Sequence, residues 1–88
     1  MVHSIKPVRF SGHALEQLRY RGTTAEEVTK AVQTMEWAPA ELGRLECRMN
    51  MEFDKEWNNK YYETKQIRPI FVEEMDEIVV VTVYVYYF

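Results

Sequence analysis

The sequence predicts one α+β domain over residues 1–88, with two N-terminal helices packed on one face of an antiparallel sheet in the order β-α-α-β-β-β. Helix-capping signals and a helical apolar period lie before residue 36, whereas an alternating apolar period follows residue 44. A chain of 88 residues has room for one modest core. With 47% hydrophobic and 28% charged residues, the composition is typical of a globular domain.

The first strand and the first helix are predicted over residues 7–22. Residues 7–10 read as a short strand, and Ser11 can cap the helix because its hydroxyl accepts from free N–H groups of the first turn. Gly22 is expected to end the helix. The predicted core stripe of this helix contains Ala14, Leu15 and Leu18.

A second helix is predicted over residues 25–35. Thr24 and Glu27 have the spacing of a capping box, in which each side chain can bind a free N–H group of the first turn. The following apolar residues recur at helical spacing and form one face: Val28, Ala31, Val32 and Met35. Residues 36–43 contain Pro39 and Gly43 and are predicted to be a loop.

Strands are predicted from residue 44 onward. The apolar residues Leu45, Cys47, Met49, Met51 and Phe53 alternate with polar ones, which is typical of a strand with one wet face. Asn58 and Asn59 predict a turn, residues 61–72 a strand, and residues 74–76 a second turn. Pro69 predicts an edge position or a bulge, and the pattern leaves the register of this hairpin open.

The last predicted strand, residues 77–88, is apolar on both faces. Its odd positions, Val79, Val81, Val83 and Val85, form a branched face that we expect to pack on the helices. Its even positions include Thr82, Tyr84 and Tyr86, whose hydroxyls would lie on the other, partly open face.

Composition excludes several classes of function. The net charge of -3 argues against indiscriminate nucleic-acid binding, although residues 1–22 carry +3 and the remainder -6. His3, His13 and Cys47 give no metal-ligand spacing, and there is no Gly-rich phosphate loop, so neither a metal nor a cofactor is expected. The N-terminus has no apolar signal region and the apolar run at residues 78–88 is too short for a membrane helix, which favours a cytoplasmic protein without membrane contact.

The first helix carries a candidate site. His13, Gln17 and Arg21 follow one another at intervals of four residues and lie on one flank, whereas Arg19 lies on the other. The same residues also have an ordinary structural interpretation, in which the histidine caps or packs and the arginine stems cover apolar surface. The same two interpretations, a site residue or an ordinary surface charge, apply to the basic residues Arg44, Arg48, Lys65 and Arg68.

The motifs at the two ends of the chain resemble a family. Residues 10–18 (FSGHALEQL), residues 21–28 (RGTTAEEV) and residues 80–84 (VVTVY) resemble a small, largely prokaryotic domain of unknown function. The family is grouped with the RelE/ParE and barnase/colicin-like ribonuclease fold, and its motif positions match His13, Arg21 and Thr82. Tyr84 follows in the same closing motif, while Thr23 replaces a common aliphatic residue.

The resemblance implies a metal-independent endoribonuclease or toxin-like domain that binds RNA. His13 would be general base or acid, and Arg21 would contact phosphate. Thr82 and Tyr84 would orient the substrate. Further substrate-binding residues would be Gln17, Arg48, Lys65 and Arg68.

The alternative is a protein-binding module without catalysis. It would be either an inactive toxin relative or a partner-dependent regulator, and its partner would be an antitoxin-like protein or a second copy of the chain. The aromatic C-terminal strand and the acidic total charge favour this interpretation.

Overall fold

Two helices and a six-stranded mixed sheet make up residues 6–88, the part of the chain described by the computed structural model. The predicted α+β class is therefore confirmed. The helices are α1 (Gly12–Arg21) and α2 (Ala25–Thr34). The strands are β1 (Val8–Phe10), β2 (Ala38–Pro39), β3 (Leu45–Glu46), β4 (Met49–Trp57), β5 (Lys60–Glu73) and β6 (Ile78–Tyr87), with a short 3-10 turn at Glu41–Gly43.

The sheet has the strand order β1-β6-β5-β3-β2, and β4 pairs with β5 on the same side as β3. Strand β1 runs parallel to β6, with Val8 opposite Ile78. The prediction of a wholly antiparallel sheet was therefore wrong. No hairpin joins β1 to β6, and the long connection between them is what parallel pairing requires.

Both helices begin at the predicted caps, and α1 also ends at the predicted Gly22, whereas α2 ends at Thr34, one residue before the predicted end. Ser11 Oγ accepts from the N–H of Ala14 at 3.1 Å, and Thr24 Oγ1 accepts from the N–H of Glu27 at 3.2 Å. The predicted apolar face of α2 is confirmed, since Val28, Ala31 and Val32 are fully buried and Met35 packs against them. Each helix has ten residues, and neither is long and apolar enough to cross a membrane.

The core stripe of α1 is narrower than predicted. Ala14 is fully buried and Leu18 packs against the core, but Leu15 is 53% exposed. Helix α1 runs along the outer edge of β6 and turns the flank of Gln17 toward this strand, as described below. Leu15 therefore points away from the sheet.

A β-bulge at Val81 changes which side chains of β6 face the helices. Ile70 pairs with Thr82 and the next residue of β5, Phe71, pairs with Val80, so Val81 is the extra residue. Ile78, Val80 and Val83 are buried, whereas Val79 and Val81 are only half-buried. The prediction of one continuous odd-numbered core face was wrong for Val79 and Val81, because a bulge exchanges the two faces of a strand.

Strands β3 and β4 share a single register against β5. Leu45 lies opposite Phe71, and Met49 lies opposite Ile67. Continuing this register places Cys47, between the two strands, opposite Pro69. The predicted single strand from residue 44 to 53 is therefore one extended segment, but its hydrogen bonding to β5 is interrupted between β3 and β4.

Pro69 explains this interruption. The N–H of Val83 points away from β5, so its partner Pro69 directs its backbone nitrogen away from β6 and toward Cys47. Proline has no N–H to donate there. The prediction of an edge position was wrong, since β5 is paired on both sides; the bulge lies beside Pro69, across from Ile70.

Both predicted turns are present. Asn58 and Asn59 have φ of 52° and 70° and connect β4 to β5 as a tight hairpin. The N–H of Glu74 donates to the carbonyl of Glu77 at 2.8 Å, which closes the turn before β6. The helices cover one face of the sheet, and the other face carries the residues considered next.

Candidate functional site

Two guanidinium groups contact the ring of Tyr84 on the sheet face opposite the helices. The guanidinium carbon of Arg21 lies 5.6 Å from the ring centre, and that of Arg68 lies 5.4 Å from it. Arg68 is opposite Tyr84 on β5, whereas Arg21 is the last residue of α1. Both distances are within the range of a cation–π contact. The structure therefore brings together Arg21, Arg68 and Tyr84, which the sequence assigned to one site.

Hydrogen bonds at both ends of α1 hold Arg21 at this position. The N–H of Ser11 donates to the carbonyl of Val80 at 2.9 Å, which fixes the start of the helix. At its end, Tyr87 Oη donates to the carbonyl of Arg21 at 2.6 Å. Gly22 then ends the helix with φ of 76°, where a Cβ atom would lie 2.4 Å from Tyr87 Oη. The backbone of Arg21 is thus fixed while its side chain extends toward Tyr84.

Gln17 bonds to the protein backbone. Its Oε1 accepts a hydrogen bond of 2.8 Å from the N–H of Val83, on the outer edge of β6 beyond the short strand β1. Val83 is fully buried, so this N–H would otherwise be unsatisfied. Gln17, which was predicted to bind substrate, therefore accepts a hydrogen bond from an otherwise unpaired N–H group at the edge of β6.

Glu46 and Tyr86 orient Arg68. Nε and Nη2 of Arg68 donate to Glu46 Oε1 at 3.0 and 2.5 Å, and Nη1 donates to Tyr86 Oη at 3.2 Å. These hydrogen bonds, led by that to Glu46, raise the pKa of Arg68 above its usual value. A guanidinium has five N–H donors, so two remain for a ligand. Arg68 is therefore a pre-oriented cation that can still bind an anion.

Arg48 lies next to this group on the exposed side. Its Nη1 donates to Gln66 Oε1 at 3.3 Å, and its Nε lies 3.7 Å from Glu46 Oε2. Gln66 in turn donates to Asn50 Oδ1 at 2.8 Å. Arg48 is thus part of a polar network that continues the open face away from Tyr84.

Lys65 lies on the helix side of the sheet and is only 5% exposed. Its ammonium donates to the carbonyl of Gly22 at 2.6 Å and to Glu27 Oε1 at 2.9 Å. Burial alone would raise the pKa of Glu27, but the hydrogen bonds that its carboxylate accepts from Lys65 and Thr23 lower it. Lys65 anchors the end of α1 and is not on the face that carries Tyr84.

A cleft of about 270 Å³ adjoins Tyr84 on the open face. Its polar lining includes Thr82, Tyr84 and Arg68, three of the residues that the sequence assigned to the site. Its other lining residues were not assigned: Ala40, Glu41, Leu42, Arg44 and Ile70. We call this space the Tyr84 cleft.

Arg44 lines the cleft, although the sequence resemblance gave it no role in the site. Its backbone is fixed by the bond from its N–H to Glu41 and by the bond from Ala40 to its carbonyl. Within residues 6–88, no hydrogen bond or ion pair involves its guanidinium. The sequence does place Arg44 on the same face of the predicted strand as Glu46 and Arg48, because these polar residues alternate with apolar ones.

The wall of the cleft next to Arg44 has an unusual backbone. Leu42 has φ of 61° and ψ of 33°, a left-handed conformation that is costly for a branched apolar residue, and its side chain is 85% exposed. Strained residues of this kind concentrate at ligand sites. The wall is thus built from a segment with a defined but strained shape.

His13 is exposed and does not line the Tyr84 cleft. It shares a helix flank with Gln17 and Arg21, both of which contact β6. The imidazole therefore lies two turns before Arg21 on the flank that faces the edge of β6. No ring contact or ion pair joins it to the rest of the described chain.

Other parts of the structure fit an anionic substrate less well. An open depression of about 570 Å³ beside β4 and β5 is lined by Glu52, Asp54 and Glu63, whose charge repels phosphate. Burial raises the pKa of the Cys47 thiol to about 12, so it is not a ready nucleophile. Over residues 6–88 no group of three or more His, Cys, Asp or Glu could hold a metal ion, and His3 lies outside this range.

The chain was compared with protein-family models, curated proteins and solved structures. None of them matches it. Support for a function therefore comes from the geometry around Tyr84 and from the sequence resemblance.

Proposed function

We propose that this chain is a metal-independent endoribonuclease of the RelE-like class that acts on RNA at the Tyr84 cleft. The observation that carries the proposal is the placement of Arg21 and Arg68 at 5.6 and 5.4 Å from the Tyr84 ring, beside a cleft lined by Thr82. Guanidinium groups match phosphate geometry and keep their charge at every physiological pH. Paired donors at one cleft favour a phosphodiester substrate.

The proposed reaction is a transesterification that requires a base, an acid and a cation but no metal ion. A base removes the proton of a 2′-hydroxyl, the 2′-oxygen bonds to phosphorus, and the 5′-oxygen leaves with a proton from an acid. His13 takes the base or acid role, and Arg21 stabilises the charge that develops on the phosphate oxygens. Thr82 and Tyr84 supply hydroxyls that orient the ribose or the phosphate.

The exposed position of His13 sets a clear condition for this role. RNA must extend from the cleft along the edge of β6 to bring a ribose to the imidazole. The shared flank of His13 and Arg21 supports such a path, because both residues face the same side of α1. Binding at the cleft and cleavage at His13 are thus separable properties.

The test is cleavage in EDTA of single-stranded RNA and of mRNA on translating ribosomes. The variants are His13→Ala and Arg21→Gln, with Arg19→Gln as the matched control because Arg19 lies on the other flank and contacts Tyr20. Cleavage that is lost in the first two and kept in the control supports the enzyme. Absence of cleavage by the wild type, or equal cleavage by all four proteins, refutes the catalytic assignment.

The second candidate is a protein-binding module without catalysis. The observation that favours it is the exposure of two apolar side chains of α1, Leu15 at 53% and Tyr20 at 75%. An antitoxin-like protein or a second copy would cover these side chains. Leu15→Glu would then abolish the complex, measured by light scattering of the purified components, and leave any RNA cleavage unchanged.

A further inference from the structure

Three arginines lie across the open face in a defined order. Arg21 stands at the outer edge of β6, Arg68 is on the neighbouring strand β5, and Arg44 immediately precedes β3, which pairs with the far side of β5. Neighbouring strands are about 4.8 Å apart, so β6 and β3 are separated by roughly 10 Å. Continuing the β3 register places Arg44 opposite Val72, which is about 13 Å along β5 from Arg68, so the three arginines lie on a diagonal. Arg21 and Arg44 are therefore on opposite sides of Tyr84.

The two outer arginines differ from the central one in their partners. Arg68 is bound to Tyr86 and to Glu46, and the carboxylate of Glu46 offsets much of its charge. Neither Arg21 nor Arg44 takes part in an ion pair within the described chain, and Arg21 contacts only the ring of Tyr84 through its guanidinium. The positive charge available to a ligand is consequently concentrated at the two ends of this row.

The space between these ends suits one nucleoside. The Tyr84 cleft, at about 270 Å³, lies just below the usual range of roughly 300–1,000 Å³ for small-molecule pockets. Ile70 and Leu42 give it apolar surface for a base or a sugar, and Thr82 and Tyr84 give it hydroxyls. A longer or bulkier group would extend into solvent.

We propose that the Tyr84 cleft binds one nucleotide of a single strand by its two flanking phosphates, one at Arg21 and the other at Arg44. This inference rests on the proposed function and adds the identity of the minimal ligand. Arg68 contacts the ligand between them through its two remaining donors. A phosphate on one side alone engages only one of the outer arginines.

Small nucleotides test this arrangement directly. A nucleoside 3′,5′-bisphosphate carries a phosphate on each side, whereas a nucleoside 5′-diphosphate carries both on one side. Affinities are measured by NMR titration of the wild type, of Arg21→Gln and Arg44→Gln, and of Arg19→Gln as control. We expect the bisphosphate to bind about tenfold tighter than the diphosphate, since a charge-assisted hydrogen bond contributes about this factor.

Each variant has a defined result. Arg21→Gln and Arg44→Gln should each remove the preference for the bisphosphate, while Arg19→Gln should keep it. With longer 2′-fluoro RNA, which lacks the nucleophile, each of the first two should lower the slope of log K against log salt by about 0.7. Equal binding of the two nucleotides by the wild type, or a preference that survives Arg44→Gln, overturns the inference.

The same experiments separate this inference from the proposed function. If the wild type binds and cleaves RNA but shows no preference for the bisphosphate, the two-phosphate arrangement is wrong and the ribonuclease proposal stands. If the wild type binds the bisphosphate as expected but never cleaves RNA, the binding inference stands and catalysis is refuted. If neither RNA nor bisphosphate binds, both are wrong.

Discussion

The carboxamide oxygen of Gln17 lies 2.8 Å from the backbone nitrogen of Val83, and this bond joins α1 to the outer edge of β6. Strand β1 is too short to pair with β6 beyond Val80. A side chain from α1 therefore takes the place of a neighbouring strand. This bond lies one turn before Arg21 and helps to set the position of Arg21 over Tyr84.

Gln17→Ala should destabilise the protein by about 1–3 kcal/mol, because the buried N–H of Val83 loses its acceptor. Gln17→Glu keeps an acceptor oxygen and should stay within about 1 kcal/mol of the wild type. Urea unfolding measures both values. An alanine variant as stable as the glutamate variant would show that the bond contributes nothing.

Gly22→Ala should cost about 2–4 kcal/mol, from its left-handed φ of 76° and from overpacking. The new Cβ would lie 2.4 Å from Tyr87 Oη and 2.7 Å from the Trp57 ring. Gly12→Ala is the matched control, since nothing lies within 4 Å of a Cβ there, and should change stability by less than about 1 kcal/mol. Thermal unfolding of the two variants decides the matter, and equal melting temperatures would contradict the packing described here.

Glu27 should make stability depend on acid pH. Its pKa is lower in the folded protein, so its contribution is complete above the unfolded-state value of about 4.3 and is lost as pH falls through the folded value. Glu27→Gln should cost about 1–2 kcal/mol at pH 7 and progressively less below pH 4. Glu26→Gln, on the same exposed turn, should cost under about 0.5 kcal/mol throughout. Urea unfolding from pH 3 to 7 gives both profiles, and a pH-independent cost at Glu27 would contradict the ion pair with Lys65.

Pro69→Val should join β3 and β4 into one ladder. The new amide at position 69 faces the carbonyl of Cys47, so it should become strongly protected from hydrogen exchange. The gain of this bond is offset by the freer unfolded chain, and stability should change by less than about 1.5 kcal/mol. Hydrogen exchange followed by NMR measures the protection. A rapidly exchanging amide at this position would show that the ladder is interrupted for another reason.

Local patterns in the sequence predicted both helices and the flank of the candidate site. The caps at Ser11 and Thr24 are local signals, and the four-residue spacing of Gln17 and Arg21 places them on one side of any α-helix. Both residues do face β6. These features are determined by residues close together in the sequence, which is why the sequence pattern predicts them.

Other features depend on tertiary contacts that no local pattern records. In residues 78–88 the odd and the even positions are both largely apolar. A bulge at Val81 therefore does not disturb any alternation of polar and apolar residues that could reveal it. Gln17 looks like a ligand-binding residue until the strand edge beside it is known. Lys65 and Arg68 are equally basic in sequence, yet the pleat of β5 directs one to Glu27 and the other to the open face.

The most direct test of the central claim is an NMR titration of the wild-type protein with a short single-stranded 2′-fluoro RNA. Binding at the Tyr84 cleft should shift the backbone amides of Leu42, Arg44, Arg68, Thr82 and Tyr84, and should leave those of Glu26 and Lys30 on the outer side of α2 unchanged. Shifts confined to the outer side of α1, or no saturable shifts at any amide, would contradict the claim that this cleft binds RNA.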